Sequence, residues 1–126
     1  MYMKKVAIIG YGFVGKGIYD FFKDHYEVHV YDPSPKEEDR GTIPFADKKV
    51  INTCDLAVVC VPTPMSQDGS VNVSIIDDTI AWLTTPLILI KSTVPPGTTE
   101  RLRKETKKNI AFSPEFMGES SYVTQW

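Results

Sequence analysis

Val6-Ala7-Ile8-Ile9-Gly10-Tyr11-Gly12-Phe13-Val14-Gly15 is an apolar run that empties into Gly-x-Gly-x-x-Gly, and an amphipathic helical pattern follows at once through Ile18, Tyr19, Phe21 and Phe22. The order strand, glycine turn, helix decides the fold. Gly10 permits the sharp exit from the strand, Gly12 lets the backbone approach a pyrophosphate, and Gly15 lets the helix pack closely on the strand. A helix beginning here offers unpaired N–H groups and the positive end of its dipole to an anion. Asp32 closes a second apolar run, Val28-His29-Val30-Tyr31, near the distance at which such turns carry an acidic partner. Gly10, Gly12, Phe13, Val14, Gly15 and Asp32 are therefore the candidate cofactor contacts. A turn serving only packing is the plainer reading of the same residues, as is an Asp32 that merely shapes the turn before Pro33.

Working outward, five β-branched runs read as strands: Lys5–Ile9, Val28–Tyr31, Leu56–Val61, Leu87–Ile90 and Ile110–Phe112. They are apolar almost throughout, as strands buried on both faces of a parallel sheet must be. Helical patterns over 14–24, 74–83 and 98–107 alternate with them. Ser74 is the expected cap of the second helix, with Asp77 in the capping-box position. The alternation predicts a Rossmann-like α/β fold, a doubly wound and mainly parallel sheet of about five strands with right-handed crossovers. Ligands bind beyond the C-terminal ends of such strands. Residues 33–53 are the hardest to read. Pro33 and Pro35 break regular structure, Lys36–Arg40 reads as a solvated charge run, and only a short element fits in 45–52.

With 126 residues the chain is expected to form one dinucleotide-binding domain, 1–126, burying about two thirds of its unfolded surface. A net charge of −2 and an isoelectric point near 5.6 argue against nucleic acid or an anionic membrane as partners. The basic cluster Arg101, Arg103, Lys104, Lys107 and Lys108 reads as the wet face of a helix. Cys54 and Cys60 have no metal-site spacing and make no disulfide framework. Cys60 sits in an apolar strand, where it acts as a small hydrophobe. No run approaches the ~18 apolar residues of a membrane span, and no signal peptide is read at the N-terminus, so a cytoplasmic setting is expected.

A carboxylate at position 32 can accept both hydroxyls of an adenosine ribose and would repel the 2′-phosphate of NADP. No arginine immediately follows to receive that phosphate, so the expected cofactor is NAD. Val61-Pro62-Thr63-Pro64 cannot continue a central strand, and its turn presents Thr63 toward the cleft. Lys91-Ser92-Thr93-Val94-Pro95-Pro96-Gly97-Thr98 repeats that device with the hydroxyls of Ser92 and Thr93. These hydroxyls suit either a ribose or plain loop closure. In Ser113-Pro114-Glu115-Phe116-Met117-Gly118-Glu119, the two carboxylates would share a helical face, where one could act as a general base.

Taken in order, the glycine turn, Val61-Pro62-Thr63-Pro64, Lys91–Thr98 and Ser113-Pro114-Glu115-Phe116 resemble the N-terminal NAD-binding domain of the UDP-glucose/GDP-mannose dehydrogenase family. The resemblance covers nearly the whole chain. It implies a two-fold oxidation of a nucleotide sugar, the C6 alcohol becoming a carboxylate at the expense of two NAD through a cysteine thiohemiacetal and thioester. It also implies that Gly10, Gly12, Gly15 and Asp32 hold NAD while Val61, Pro62, Thr63, Ser92 and Thr93 line its site. Thr93 and Glu115 would position the hydrolytic water, with Glu119 supporting water and sugar.

The departures carry expectations too. The family's catalytic cysteine, its lysine and its asparagine would fall beyond Trp126, and neither Cys54 nor Cys60 stands where the cysteine should. These 126 residues alone are then expected to bind NAD without turnover. The family's last parallel strand of this domain, after the glutamate motif, is not read here, which would leave the fifth strand an open edge and favour self-association into a homo-oligomer. Two other readings stay open: a 3-hydroxyacid-type dehydrogenase fragment, and a non-catalytic NAD-binding or regulatory module that works with a separate chain.

Overall fold

The computed structural model describes residues 4–113. Five parallel strands, β1 (Lys5–Ile9), β2 (Glu27–Tyr31), β3 (Leu56–Val59), β4 (Leu87–Ile90) and β5 (Ile110–Phe112), form one sheet in the order β2-β1-β3-β4-β5. Four helices connect them: α1 (Phe13–Phe22), α2 (Lys48–Ile51), α3 (Ser74–Trp82) and α4 (Thr98–Thr106). The chain leaves β1 for β2 on one side and then crosses to β3 on the other. That reversal opens the sheet between β1 and β3 at their C-terminal ends, where doubly wound sheets bind ligands.

The register sorts the side chains into two layers. Ile8 lies opposite Val30 and Val58, and Ile9 lies opposite Tyr31 and Val59. Ala7, Ile9, Ala57, Val59, Ile88, Ile90 and Ile110 meet Ile76, Ile80, Leu83 and Leu102 from the α3 and α4 side. Ile8, Val28 and Val30 meet Ile18, Tyr19 and Phe22 of α1 on the opposite face. Each fully buried aliphatic side chain contributes about 1.5–3 kcal/mol relative to exposure, so the strands must be apolar on both faces.

Several local expectations are corrected. β3 stops at Val59, two residues short of the expected Val61, and Cys60 packs just past the strand. The chain peels away because Pro62 and Pro64 lack the N–H a ladder needs; the amides of Lys91 and Ser92 both reach the Val59 carbonyl instead, at 2.9 and 3.3 Å. Ser74 does not cap α3. Val73 takes the cap position, and Asn72 Oδ1 accepts the Ser74 N–H at 2.9 Å, so a residue two positions earlier satisfies the helix start. Asp77 pairs instead with Arg101 at 2.8 Å.

The basic residues around α4 are tethers as much as a wet face. Arg101 bridges Asp77 and Glu105, Arg103 Nε donates to the Ile110 carbonyl at 2.6 Å, and Lys108 Nζ donates to the Ala81 carbonyl at 3.2 Å. Arg103 thereby covers part of β5, the edge strand among the described residues. Phe112 of β5 and Leu87 of the neighbouring β4 remain 40% exposed.

Residues 33–53 are better organised than their composition suggests. A 3-10 turn spans Glu37–Asp39, and Asp47 caps α2 by accepting the Val50 N–H at 3.0 Å. Between them Phe45 bridges Val30 in parallel, with Val30 N–H to Pro44 O at 3.0 Å and Ala46 N–H to Val30 O at 2.8 Å. A single-residue bridge therefore lies along the outer edge of β2.

Candidate functional site

Gly10 leaves β1 with φ +97°, held by its N–H to the Tyr31 carbonyl at 2.8 Å. A Cβ there would stand 2.8 Å from the Cys60 carbonyl oxygen, so only glycine threads this gap. Gly12 is the residue before α1, and a Cβ on it would meet nothing within 4 Å. The space beside it is open. Gly15 is the reverse case, because a Cβ would fall 2.0 Å from the Gly10 carbonyl oxygen. Gly15 thus sets the helix-to-turn distance from behind, while Gly12 faces the opening.

Tyr11 fixes the turn from inside. Its ring makes edge contacts with Tyr19 and Phe45, both at 5.9 Å between centroids. Burial, aided by Asp39 and Asp20, pushes its hydroxyl up from the usual value. The first helical bond runs from Lys16 N–H to the Gly12 carbonyl at 2.9 Å. The N–H groups before it have no helical acceptor to reach and point out of the helix start.

Asp32 stands at the end of β2. Its Oδ2 accepts the Tyr11 N–H at 2.9 Å and its Oδ1 accepts the Ser34 N–H at 2.8 Å. The turn-forming role and the ligand role are therefore compatible: two lone-pair positions are used and the carboxylate retains others.

These residues share one cleft of about 630 Å³, within the range of cofactor sites. Gly10, Tyr11, Gly12, Phe13 and Val14 form its floor; Asp32 and Pro33–Lys36 form the β2 wall. Val61, Pro62 and Thr63 line it after β3, and Ser92 and Thr93 after β4. Ser92 is buried, and its hydroxyl donates to the Val61 carbonyl at 2.7 Å, so it shapes the wall. Thr93 is exposed to the cleft mouth. From β2 to β4 the cleft crosses three strand spacings, about 14 Å, a span that an extended dinucleotide can follow. The open space at Gly12, the free helix N–H groups and the Asp32 carboxylate fit a pyrophosphate with a ribose beside it.

Cleft residues absent from the sequence expectations are Tyr11, Pro33–Lys36, Cys60, Ile75 and Lys91. Nearness to Asp32 in the chain could have flagged Ser34 and Lys36. Lys91 Nζ reaches Ser113 Oγ at 3.4 Å, joining the ends of β4 and β5. The expected site residues Glu115 and Glu119 lie outside the described residues.

Comparison with known proteins gives the same picture. The chain is 40% identical over 68 residues to an erythronate-4-phosphate dehydrogenase of Marinomonas sp., covering 53% of this chain and 17% of that protein. It is 28% identical over 146 residues to a UDP-glucose 6-dehydrogenase of Streptococcus pneumoniae, covering 92% of this chain and 37% of that one. A UDP-glucose dehydrogenase structure from Pyrobaculum islandicum superposes with a TM-score of 0.71 at 25% identity, over 94% of this chain and 37% of that chain. The chain thus spans well under half the length of these relatives. The sequence model of the UDP-glucose/GDP-mannose dehydrogenase family, NAD binding domain, matches residues 26–126. With the glycine turn ahead of that match and the cleft it floors, the chain belongs to the UDP-glucose/GDP-mannose dehydrogenase family, of which it carries the NAD-binding domain.

Proposed function

We propose that this chain is the cofactor half of a nucleotide-sugar 6-dehydrogenase, oxidising the C6 alcohol of a UDP-glucose- or GDP-mannose-type sugar to a carboxylate with two NAD. The observation that carries the reading is one cleft that joins Gly10–Val14 of the glycine turn, Asp32, Thr63 and Thr93 in a chain of this family. NAD supplies the hydride acceptor. Around it, the start of α1 receives the pyrophosphate, Asp32 orients the adenosine ribose, and Val61, Pro62 and Thr63 fix the far nucleoside. Thr93 positions the water that ends the reaction, with Glu115 as its base and Glu119 in support.

A polypeptide of these 126 residues binds NAD without turnover, because neither thiol suits the covalent step: Cys60 packs against the Ile8 and Val30 layer just past β3. Cys54 is buried, and burial pushes its pKa up, away from the thiolate. In the cell we place the protein in the cytoplasm, as a homo-oligomer acting on a nucleotide sugar. The test is to supply the purified chain with NAD and either UDP-glucose or GDP-mannose and follow NADH absorbance. Binding of NAD without NADH formation is expected; steady NADH formation would overturn the assignment of the covalent step elsewhere.

A further inference from the structure

Among the described residues that line the cleft, only Asp32, Lys36 and Lys91 carry charge at neutral pH. Asp32 and Lys36 belong to the β2 wall, whereas Lys91 belongs to the β4 end. It follows Ile90, the last residue of β4. There its N–H donates to the Val59 carbonyl at 2.9 Å, and its Nζ donates to Ser113 Oγ at 3.4 Å. The ammonium is thus held at the end of the cleft that Ser92 and Thr93 also line. With an adenosine ribose at Asp32, a nicotinamide ring falls at this end, three strand spacings or about 14 Å away. Resting on the reading of this cleft as an NAD site, we propose that Lys91 tunes the redox poise of the bound cofactor, its charge making bound NAD a stronger hydride acceptor.

When the nicotinamide accepts a hydride from an alcohol, the ring passes from positive to neutral, and the alcohol also gives up a proton. A fixed cation beside the ring therefore opposes the oxidised form and leaves the reduced ring undisturbed. For unit charges ~8 Å apart the effect is roughly two- to thirtyfold, between a bulk-water and a protein-surface dielectric. Lys91 then weakens NAD relative to NADH, which favours hydride transfer onto the cofactor. Lys36, at the adenosine end, is too far from the ring to act in this way. It shares only the general attraction of a cation for the more negative NADH.

The test titrates the 126-residue chain calorimetrically with NAD and with NADH, as wild type, Lys91→Gln, Lys91→Met, Lys91→Arg and Lys36→Gln, with a thermal melt of each. The quantity compared is the NAD dissociation constant divided by that for NADH. It is expected to fall about threefold or more in both neutral variants at position 91, to hold in Lys91→Arg, and to move clearly less in Lys36→Gln. Two neutral side chains are used because the stem is half-buried and one of them could disturb the fold. An unchanged ratio in a folded neutral variant would overturn the proposal. So would an equal fall in Lys91→Arg, which keeps the charge, or in Lys36→Gln, which lies at the other end. A wild-type chain that binds neither NAD nor NADH would instead overturn the cofactor reading, and the role of Lys91 with it.

Discussion

The backbone N–H of Tyr11 donates to Asp32 Oδ2 at 2.9 Å, which ties the glycine turn of β1 to the end of β2. One side chain thus holds together the two parts of the cleft that lie on neighbouring strands. Asp32→Ala removes the ribose acceptor and leaves a partly buried N–H without its partner, a loss of about 1–3 kcal/mol. NAD affinity should fall tenfold or more and the melting temperature should drop with it. Calorimetry and a thermal melt on the same preparation check both.

Gly15 contributes through packing. With a Cβ placed 2.0 Å from the Gly10 carbonyl oxygen, Gly15→Ala must push α1 away from the turn. Overpacking of this kind costs about 1–3 kcal/mol, and here the atom in the way is backbone. Chemical denaturation should show the loss whether or not cofactor is present.

The layer between sheet and helices predicts a contrast. Ile80 is wholly buried, so Ile80→Ala should destabilise by about 2–5 kcal/mol. Leu87, the first residue of β4, is 40% exposed, and Leu87→Ala should cost clearly less. Denaturation midpoints of the two variants, measured side by side, check the ranking.

Asp55 gives the pH dependence a named source. Its Oδ2 accepts the N–H groups of Lys5 at 2.9 Å and Lys4 at 3.0 Å, and these bonds hold its carboxyl below the usual carboxylate range. A folded-state pKa below the unfolded one stabilises above the unfolded value, and that contribution is lost as pH falls through the folded one. Asp55→Ala should therefore lower the melting temperature at neutral pH. The gap to wild type should close as the pH drops below about 4.

The five strands were legible because strands buried on both faces leave unbroken β-branched runs, and Gly10 and Gly15 because each has a steric reason. What escaped the reading depends on tertiary contacts. The Phe45–Val30 bridge is a single residue with no periodicity, and it exists because Phe45 packs on Tyr11. Asn72 rather than Ser74 serves the start of α3, since both are good local acceptors and only the backbone path decides between them. Charge patterning cannot separate a solvated arginine from one that spans to Asp77 or to the Ile110 carbonyl. Lys36 looked like part of a wet run because the turn at Asp32 that brings it to the cleft is set by two side-chain bonds.

The central claim is that the open space beside Gly12 receives the cofactor's pyrophosphate. Gly12 sits at φ −89°, which alanine adopts freely, and its added Cβ would touch no protein atom within 4 Å. The decisive measurement is a calorimetric titration of wild type and Gly12→Ala with NAD, with thermal melts of both. Saturable binding to wild type, lost or weakened at least tenfold in a Gly12→Ala chain of unchanged melting temperature, is the predicted result. Equal binding by the two chains, or none by wild type, would contradict it.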